Sequence, residues 1–272
     1  MKPRSACAAS LLAATFLVVP GLIAQYVQQA ATEAQLTATA ERGRALAEYD
    51  QAAWHATDAV QTANPKTTDG QVYIAKKAGG KWTVAFGVLT ADKSKFQVEY
   101  EAQQLAQPKE FAVKNNDPPR EDEGFYLFAA RAIELALAEF GKANRPYNAA
   151  VLPVTAADGK EQPGLLYVYF YPAQTKAGIY PLGGDLRYLV SADGTEIIEK
   201  RQMHKTLLEV TPVKGKKQVA GFHSHTLSDV PEDTDVLHVL QQDPPVPEMI
   251  VTPHFVYEVT GDGTIRVKKQ KK

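Results

Sequence analysis

Hydrophobic residues between positions 71 and 101 repeat with a period of two, and this pattern restricts the fold more than any other feature of the sequence. Successive side chains of a strand point to opposite faces, so alternation of this kind predicts strands with one buried face. The segment 78–80, Ala-Gly-Gly, separates two such runs and is typical of a hairpin turn. The sequence therefore predicts an antiparallel meander. Its alternating hydrophobic residues are Val72, Ile74, Trp82, Val84, Phe86, Phe96, Val98 and Tyr100.

Two segments have helical rather than strand patterns. Residues 25–63 are rich in Ala, Gln, Glu and Thr and predict one or two helices that end before Asn64-Pro65. Residues 125–140 have apolar side chains at helical spacing and predict a central amphipathic helix. Because strands follow one another in hairpins rather than alternating with helices, we expect an α+β fold with antiparallel sheets and helices packed on them.

The polar, proline-containing segment 114–123 predicts a loop and a candidate boundary. It separates a helical segment plus meander, 25–113, from a helix plus antiparallel sheet domain, 124–272. A single domain that joins both segments is the alternative. A further short helix is predicted at Asp233–Leu240, before a pair of prolines.

The first 24 residues have the pattern of a secretory signal peptide. Lys2 and Arg4 precede an apolar run that extends from Ala8 to Ala24. We therefore expect export to the periplasm or the extracellular space, with cleavage after Ala24, although an uncleaved anchor is the alternative. No later segment is long and apolar enough to cross a membrane, so none is expected after cleavage of the signal.

Charge and cysteine content exclude several function classes. The formal net charge is −1, and the sequence has neither zinc-finger spacing nor an aromatic and basic stripe, so we expect no nucleic-acid partner. The single cysteine, Cys7, lies in the signal segment. A disulfide, a thiolate nucleophile and a cysteine-ligated metal are therefore excluded for the mature chain.

The run His223-Ser224-His225 is the strongest candidate site. Residues i and i+2 of a strand share a face, so both imidazoles are expected to point the same way. Acidic residues follow in the sequence, among them Asp235. Two imidazoles and one carboxylate form a reasonable zinc site with a fourth position open for water. We therefore take His223, His225 and Asp235 as candidate metal ligands, with zinc as the candidate cofactor and no cofactor as the alternative.

The residues Gly221-Phe222-His223-Ser224-His225, followed by Asp235, resemble the motif of the JAB/MPN (JAMM) metallopeptidases. The resemblance covers residues 218–267. It implies a zinc-dependent peptidase or isopeptidase, with His223, His225 and Asp235 as ligands and an upstream Glu as general acid and base. No Glu lies between Glu161 and Glu196, so the sequence does not identify that base.

A structural interpretation of the same residues stays open. His225 would hydrogen-bond within a turn, His223 would be half-exposed on an edge strand, and Asp233 or Thr234 would cap the short helix. His254 is a further candidate ligand.

Asp185 and Arg187 share one face of a strand and form either a polar site or a surface ion pair.

Two function classes follow from the sequence. The first, which the sequence favours, is a non-catalytic exported α+β protein of the envelope or the extracellular space that binds an unknown partner. The second is a zinc-dependent metallohydrolase that uses the His223-Ser224-His225 run.

Overall fold

A computed structural model describes residues 29–63, 68–155, 161–211, 215 and 217–270. Within these residues the chain forms three helices and three four-stranded sheets. The α+β class predicted from the sequence is confirmed. The expected signal peptide, residues 1–24, lies outside the described residues. Among the described helices, none combines the length and apolar character that a membrane span requires.

The helices and strands follow the hairpin order expected from the sequence. The helices are α1 (Glu33–Ala63), α2 (Phe125–Phe140) and α3 (Asp233–Gln241). The first sheet contains β1 (Val72–Ala78), β2 (Lys81–Leu89), β3 (Phe96–Gln104) and β4 (Phe111–Asp122) in that spatial order. The second sheet, also in sequence order, contains β5 (Tyr147–Thr155), β6 (Glu161–Pro172), β7 (Leu186–Ser191) and β8 (Ile197–Gln202). The third sheet, in the spatial order β12-β11-β10-β9, contains β9 (Gly221–Ser224), β10 (Glu248–Val251), β11 (Phe255–Val259) and β12 (Ile265–Gln270).

The prediction of a loop over 114–123 is wrong. Strand β4 extends through Asp122 and pairs with β3 at residues 114–115 and again at 120–122. It is an edge strand whose side chains are mostly exposed, which explains its polar composition. Pro118 and Pro119 are tolerated because an edge strand leaves one row of N–H groups unpaired and the β3–β4 register shifts between Val98 and Tyr100.

The third sheet contains a parallel pair that the sequence analysis did not anticipate. Strands β9 and β10 run parallel, with His223 opposite Ile250, and α3 connects them. The two strands have only four residues each, so the sequence pattern does not reveal this β-α-β crossover unit in a chain otherwise built from hairpins. This unit brings the first turn of α3 beside the end of β9.

The long helix α1 packs against members of all three sheets and against α3. Its buried side chains include Leu46, Tyr49 and Ala56, and it contacts the first sheet, β5, β12 and α3. Gly43 lies at the crossing with α3, where an added Cβ would be 2.4 Å from the Cβ of Val236. The glycine therefore permits a close approach of the two helices.

The hydrophobic core crosses the boundary suggested by the sequence. One buried cluster joins α1, the first sheet and α3 to Ala150 and Tyr169 of the second sheet. Another joins the first sheet to α2 and to Val168 and Tyr188 of the second sheet. A third cluster packs the beginning of α1 and α3 against β10, β11 and β12. Segments 25–113 and 124–272 thus share these three hydrophobic clusters.

Candidate metal centre

The two histidines of the His-x-His run lie at the carboxyl end of β9 and face inward together. His223 and His225 are both 4% exposed, whereas Phe222, which directly precedes His223 in β9, is 78% exposed. The N–H of His225 donates to the carbonyl of Val251 at 2.9 Å, which continues the pairing with β10 beyond the strand's last residue. The shared face predicted from the i, i+2 spacing is thus present.

Asp235 lies in the first turn of α3 and is completely buried. Its Oδ2 accepts the N–H of Glu232 at 2.7 Å, and the Glu232 side chain accepts the N–H of Asp235 in return. This is a capping box, and it orients the carboxylate so that Oδ1 faces the histidines. The N-cap of α3 is therefore Glu232. The structural interpretation of the sequence, which placed the cap at Asp233 or Thr234, is wrong on this point.

A third imidazole, His204, completes the cluster, and it is not among the ligands predicted from the sequence. It follows β8 of the second sheet by two residues and is 7% exposed. Asp185 fixes its position, since the carboxylate accepts both the backbone N–H and a contact from Nδ1, each at 2.9 Å. His254, the extra ligand considered from the sequence, instead lies on the surface beside Asp229.

The inward Nε2 atoms and the Asp235 carboxylate lie within a few ångströms of one another. His225 Nε2 is 2.8 Å from His204 Nε2 and 3.1 Å from His223 Nε2. Asp235 Oδ1 is 3.1 Å from His204 Nε2 and 3.0 Å from His223 Nε2, and Oδ2 is 3.3 Å from His225 Nε2. One ligand atom from each of the four residues falls within 4.8 Å of the others.

These separations match the edges of a small coordination tetrahedron. Zinc–nitrogen and zinc–carboxylate bonds are about 2.0–2.1 Å, which places neighbouring ligand atoms about 3.3 Å apart in a tetrahedron. Five of the six pairs of ligand atoms are 2.8–3.4 Å apart, close to that value, and the sixth pair, between His204 and His223, lies within 4.8 Å. Hydrogen bonds alone do not explain this arrangement well, because three ring nitrogens of the same kind converge on one carboxylate.

Each imidazole is held through its other nitrogen, Nδ1. Asp185 holds His204, the Glu248 carboxylate holds His223 at 2.9 Å, and the carbonyl of Val230 holds His225 at 2.9 Å. Acceptors on Nδ1 favour the tautomer that leaves the Nε2 lone pair free, and metal-bound histidines commonly have such partners. Both Asp185 and Glu248 are buried.

In the metal-free chain, the closeness of these side chains shifts the pKa values of His204, His223 and Asp235. Burial lowers the pKa of His204, but Asp185 and Asp235 outweigh it and raise the pKa to about 11. Burial likewise lowers the pKa of His223, and hydrogen bonds to Asp235 and Glu248 raise it to about 9. Burial raises the pKa of Asp235, whereas the neighbouring histidines hold it well below its usual range. A positive charge at this position, whether of protons or of a metal ion, therefore stabilises the buried carboxylate.

The other buried acids near the cluster are paired with arginines. Glu232 binds Arg201 through both carboxylate oxygens, at 2.6 and 3.0 Å. Asp233 binds Arg42 and Arg187 and accepts the hydroxyl of Tyr169 at 2.9 Å. The Asp185–Arg187 pair considered from the sequence is not formed, because Asp185 holds His204 and Arg187 binds Asp233.

The structural interpretation of the histidines is met only in part. His225 does hydrogen-bond within the turn, to Val230, but His223 is buried rather than half-exposed. Both rings also share Asp235 through Nε2, so they do not point at separate partners.

Comparisons of the chain with protein-family models, with curated proteins and with solved structures found no match. The resemblance of residues 218–267 to the JAMM metallopeptidases therefore stays a prediction.

Proposed function

We propose that the protein binds one zinc ion through His204, His223, His225 and Asp235, and that this ion serves to hold its sheets together. The observation that carries the proposal is the convergence of three imidazoles and one carboxylate, with their ligand atoms within 4.8 Å of one another in a buried position. Imidazole ligands suit zinc, copper, iron and nickel, and a tetrahedral arrangement of nitrogen and oxygen favours zinc among them.

A closed coordination shell supports a structural role over a catalytic one. Catalytic zinc sites usually have three protein ligands and keep a fourth position for water, whereas structural sites take all four ligands from the protein. His204 fills the position that the sequence analysis left open for water. The nearby carboxylates of Glu248, Glu232 and Asp185 are each engaged by a histidine or an arginine, so none is free to act as a general base.

The four ligands come from three parts of the fold. His204 follows the last strand of the second sheet. His223 lies in β9 of the third sheet, His225 directly follows that strand, and Asp235 lies in the first turn of α3. An ion bound to all four would join the second sheet to the third. Because such a site is not preformed in the unfolded chain, its binding free energy adds to folding stability.

Export, which we propose from the N-terminal pattern alone, fits a structural metal. The only cysteine is Cys7, so one chain cannot form an internal disulfide. A metal cross-link would then supply a constraint that exported proteins often obtain from disulfides. Determining the N-terminal residue of the protein in culture medium and periplasmic extract tests this, since the proposal expects a chain that begins near Gln25.

Metal content tests the proposed function. The protein is purified without a histidine tag, and bound metal is measured by elemental analysis in the parent, in a His223→Ala/His225→Ala variant and in His254→Ala. His254 is the matched control, since its exposed ring lies outside the cluster. We expect about one zinc per chain in the parent and the control and none in the double variant.

A single-ligand variant separates the closed site from an open one. If His204 is a ligand, His204→Ala weakens zinc binding by at least about a hundredfold, a loss larger than the usual effect of an outer partner. A zinc affinity, measured by chelator competition, that is unchanged in His204→Ala would overturn the proposal, and so would a parent that takes up no zinc when zinc is supplied.

A further inference from the structure

A cavity of about 290 Å³ lies apart from the metal centre, between α1 and the ends of β5 and β6. None of its lining residues is a metal ligand or holds one. The lining is aromatic and amide-rich, and the residues on which the inference depends are Asp50, Trp54, Tyr73, Asn148, Tyr180 and Gln241. Small-molecule sites usually measure from about 300 Å³ upward, so the cavity suits a small ligand.

Among the residues that the structure describes, Asp50 is the one charged residue in the lining of this cavity. Its Oδ1 accepts the hydroxyl of Tyr171 at 2.8 Å and the amide of Asn148 at 3.3 Å, and its Oδ2 accepts the amide of Gln241 at 2.8 Å. These donors come from β6, β5 and α3, so the carboxylate is held in place from three elements. An ionised carboxylate offers about four acceptor positions, and three are filled here.

No cation balances Asp50 among the described residues. Its hydrogen-bond donors are all neutral, and no lysine, arginine or histidine of the described chain forms an ion pair with it. Asp50 is half-buried, and removing a carboxylate from water costs free energy that hydrogen bonds and a nearby positive charge offset. Burial raises the pKa of Asp50, although its hydrogen bonds to Gln241, Tyr171 and Asn148 oppose that effect. A positively charged ligand at the remaining acceptor position would supply the missing charge.

Aromatic side chains stand around the same space. Trp54 is 55% exposed although it is large and apolar, and Tyr73 and Tyr180 also line the cavity. Aromatic faces attract cations electrostatically and pack against apolar groups. A carboxylate beside aromatic rings is thus suited to an organic ammonium ion, which has both a charge and an apolar body.

We propose that this cavity is a second binding site, which takes a small organic ammonium ion with its charged group at Asp50 and its apolar body against Trp54 and Tyr73. The proposal does not depend on the metal centre, since no residue is shared between the two sites. Inorganic cations are a poorer fit, because they would leave the aromatic lining without a partner.

Titration calorimetry with three probes of similar shape tests this site. Benzylammonium, benzyl alcohol and benzoate share a ring but differ in charge. Benzylammonium is expected to bind the parent protein at least about tenfold more tightly than the other two, since a desolvated ion pair and a cation–π contact each add to its affinity. Equal binding of all three probes, tighter binding of benzoate, or no binding of benzylammonium at millimolar concentration would overturn the proposal.

Two variants on α1 test whether benzylammonium binds at Asp50. Asp50→Asn should remove the advantage of benzylammonium over benzyl alcohol, whereas Asp58→Asn, which changes an exposed carboxylate of the same helix, should keep it. If Asp50→Asn does not fold, the exposed Trp54→Ala is measured instead, with an expected loss of about three- to tenfold. Benzylammonium binding that none of these changes weakens would contradict the proposed site.

Discussion

Gly221, at the first position of β9, leaves the space in which the Glu248 carboxylate holds His223. A Cβ built on Gly221 would lie 1.8 Å from Oε2 of Glu248, so any larger residue displaces that carboxylate. The pairing of Gly221 with Glu248 across β9 and β10 explains the closeness. A glycine two residues before a ligand thus acts on the metal through a residue on the next strand.

We predict that Gly221→Ala weakens zinc binding by about 10- to 100-fold, the usual effect of disturbing an outer-shell partner. Chelator competition measures the affinity. Gly261→Ala is the control, because an added Cβ there meets Pro245 at an ordinary 3.7 Å. An affinity in Gly221→Ala equal to that of the control would show that Glu248 does not orient His223.

The pKa values of His204 and His223, raised to about 11 and about 9, predict a pH dependence of zinc binding. Both are above the ordinary value of about 6.5, so their protons stabilise the metal-free fold fully below about pH 6.5. That stabilisation is lost as the pH rises through about 9 and then about 11. Zinc requires neutral imidazoles and must displace these protons.

Zinc affinity is therefore expected to rise with pH, by about tenfold per pH unit for each proton released. Chelator competition at about pH 6, 7 and 8 measures the slope, with the chelator's own protonation taken into account. An affinity that does not change over this range would mean that the histidines are already neutral in the metal-free chain.

At the level of single residues the sequence predicted three of the four candidate ligands. His223 and His225 follow from the two-residue period of a strand, and Asp235 follows from its place in the next helix. His204 could not be predicted, because its approach depends on how the second sheet packs against the third, and no local spacing encodes that contact. The sequence singled out Asp185 as a polar residue beside Arg187, but it did not indicate that the partner of Asp185 is His204.

Helix α3 concentrates three acidic residues at its start and gives each a separate contact. Glu232 binds Arg201, Asp233 binds Arg42 and Arg187, and Asp235 faces the histidines. Carboxylates are favourable at a helix N-terminus, which eases their burial. The helix thereby joins α1, the second sheet and the candidate metal centre through one turn.

We predict that Asp233→Asn destabilises the fold by about 3 kcal/mol, since it leaves two arginines and Tyr169 without their shared carboxylate. Arg42 and Arg187 retain some access to water, which limits the effect. Denaturant unfolding of the zinc-loaded protein measures it. Asp58→Asn, an exposed change on α1, should stay within about 0.5 kcal/mol of the parent. Equal stability of the two variants would show that the Asp233 network contributes little.

At the level of elements, periodicity identified most of the helices and strands but not two features of the sheets. Strand β4 was taken for a loop because an exposed edge strand has polar residues and tolerates Pro118 and Pro119. The parallel pairing of β9 with β10 was missed because both strands are short and the periodic signal is the same for either direction. The helical pattern of α3 itself was predicted within one residue.

For the whole molecule, the proposed ion connects the second sheet to the third. His204 belongs to the end of the second sheet, and the His-x-His run belongs to the third. A ligand that binds only the folded state raises stability by an amount that grows with its concentration relative to its dissociation constant.

Removal of zinc with a chelator is expected to lower Tm by about 5–10 °C, which corresponds to roughly 2–3 kcal/mol for a chain of this size. Differential scanning calorimetry of the parent, before and after EDTA, gives the shift. The His223→Ala/His225→Ala variant should not respond to EDTA. A parent whose Tm is unaffected by the chelator would show that the ion does not stabilise the fold.

X-ray absorption at the zinc edge tests the closed site most directly, because the scattering from imidazole rings reports how many histidines bind the metal. The proposed site predicts three imidazoles and one further oxygen at about 2.0 Å in the parent, and two imidazoles in His204→Ala. A parent spectrum with two imidazoles would contradict the closed structural site and would instead support an open site in which water binds the zinc. A purified chain that holds no zinc at all would contradict the account as a whole.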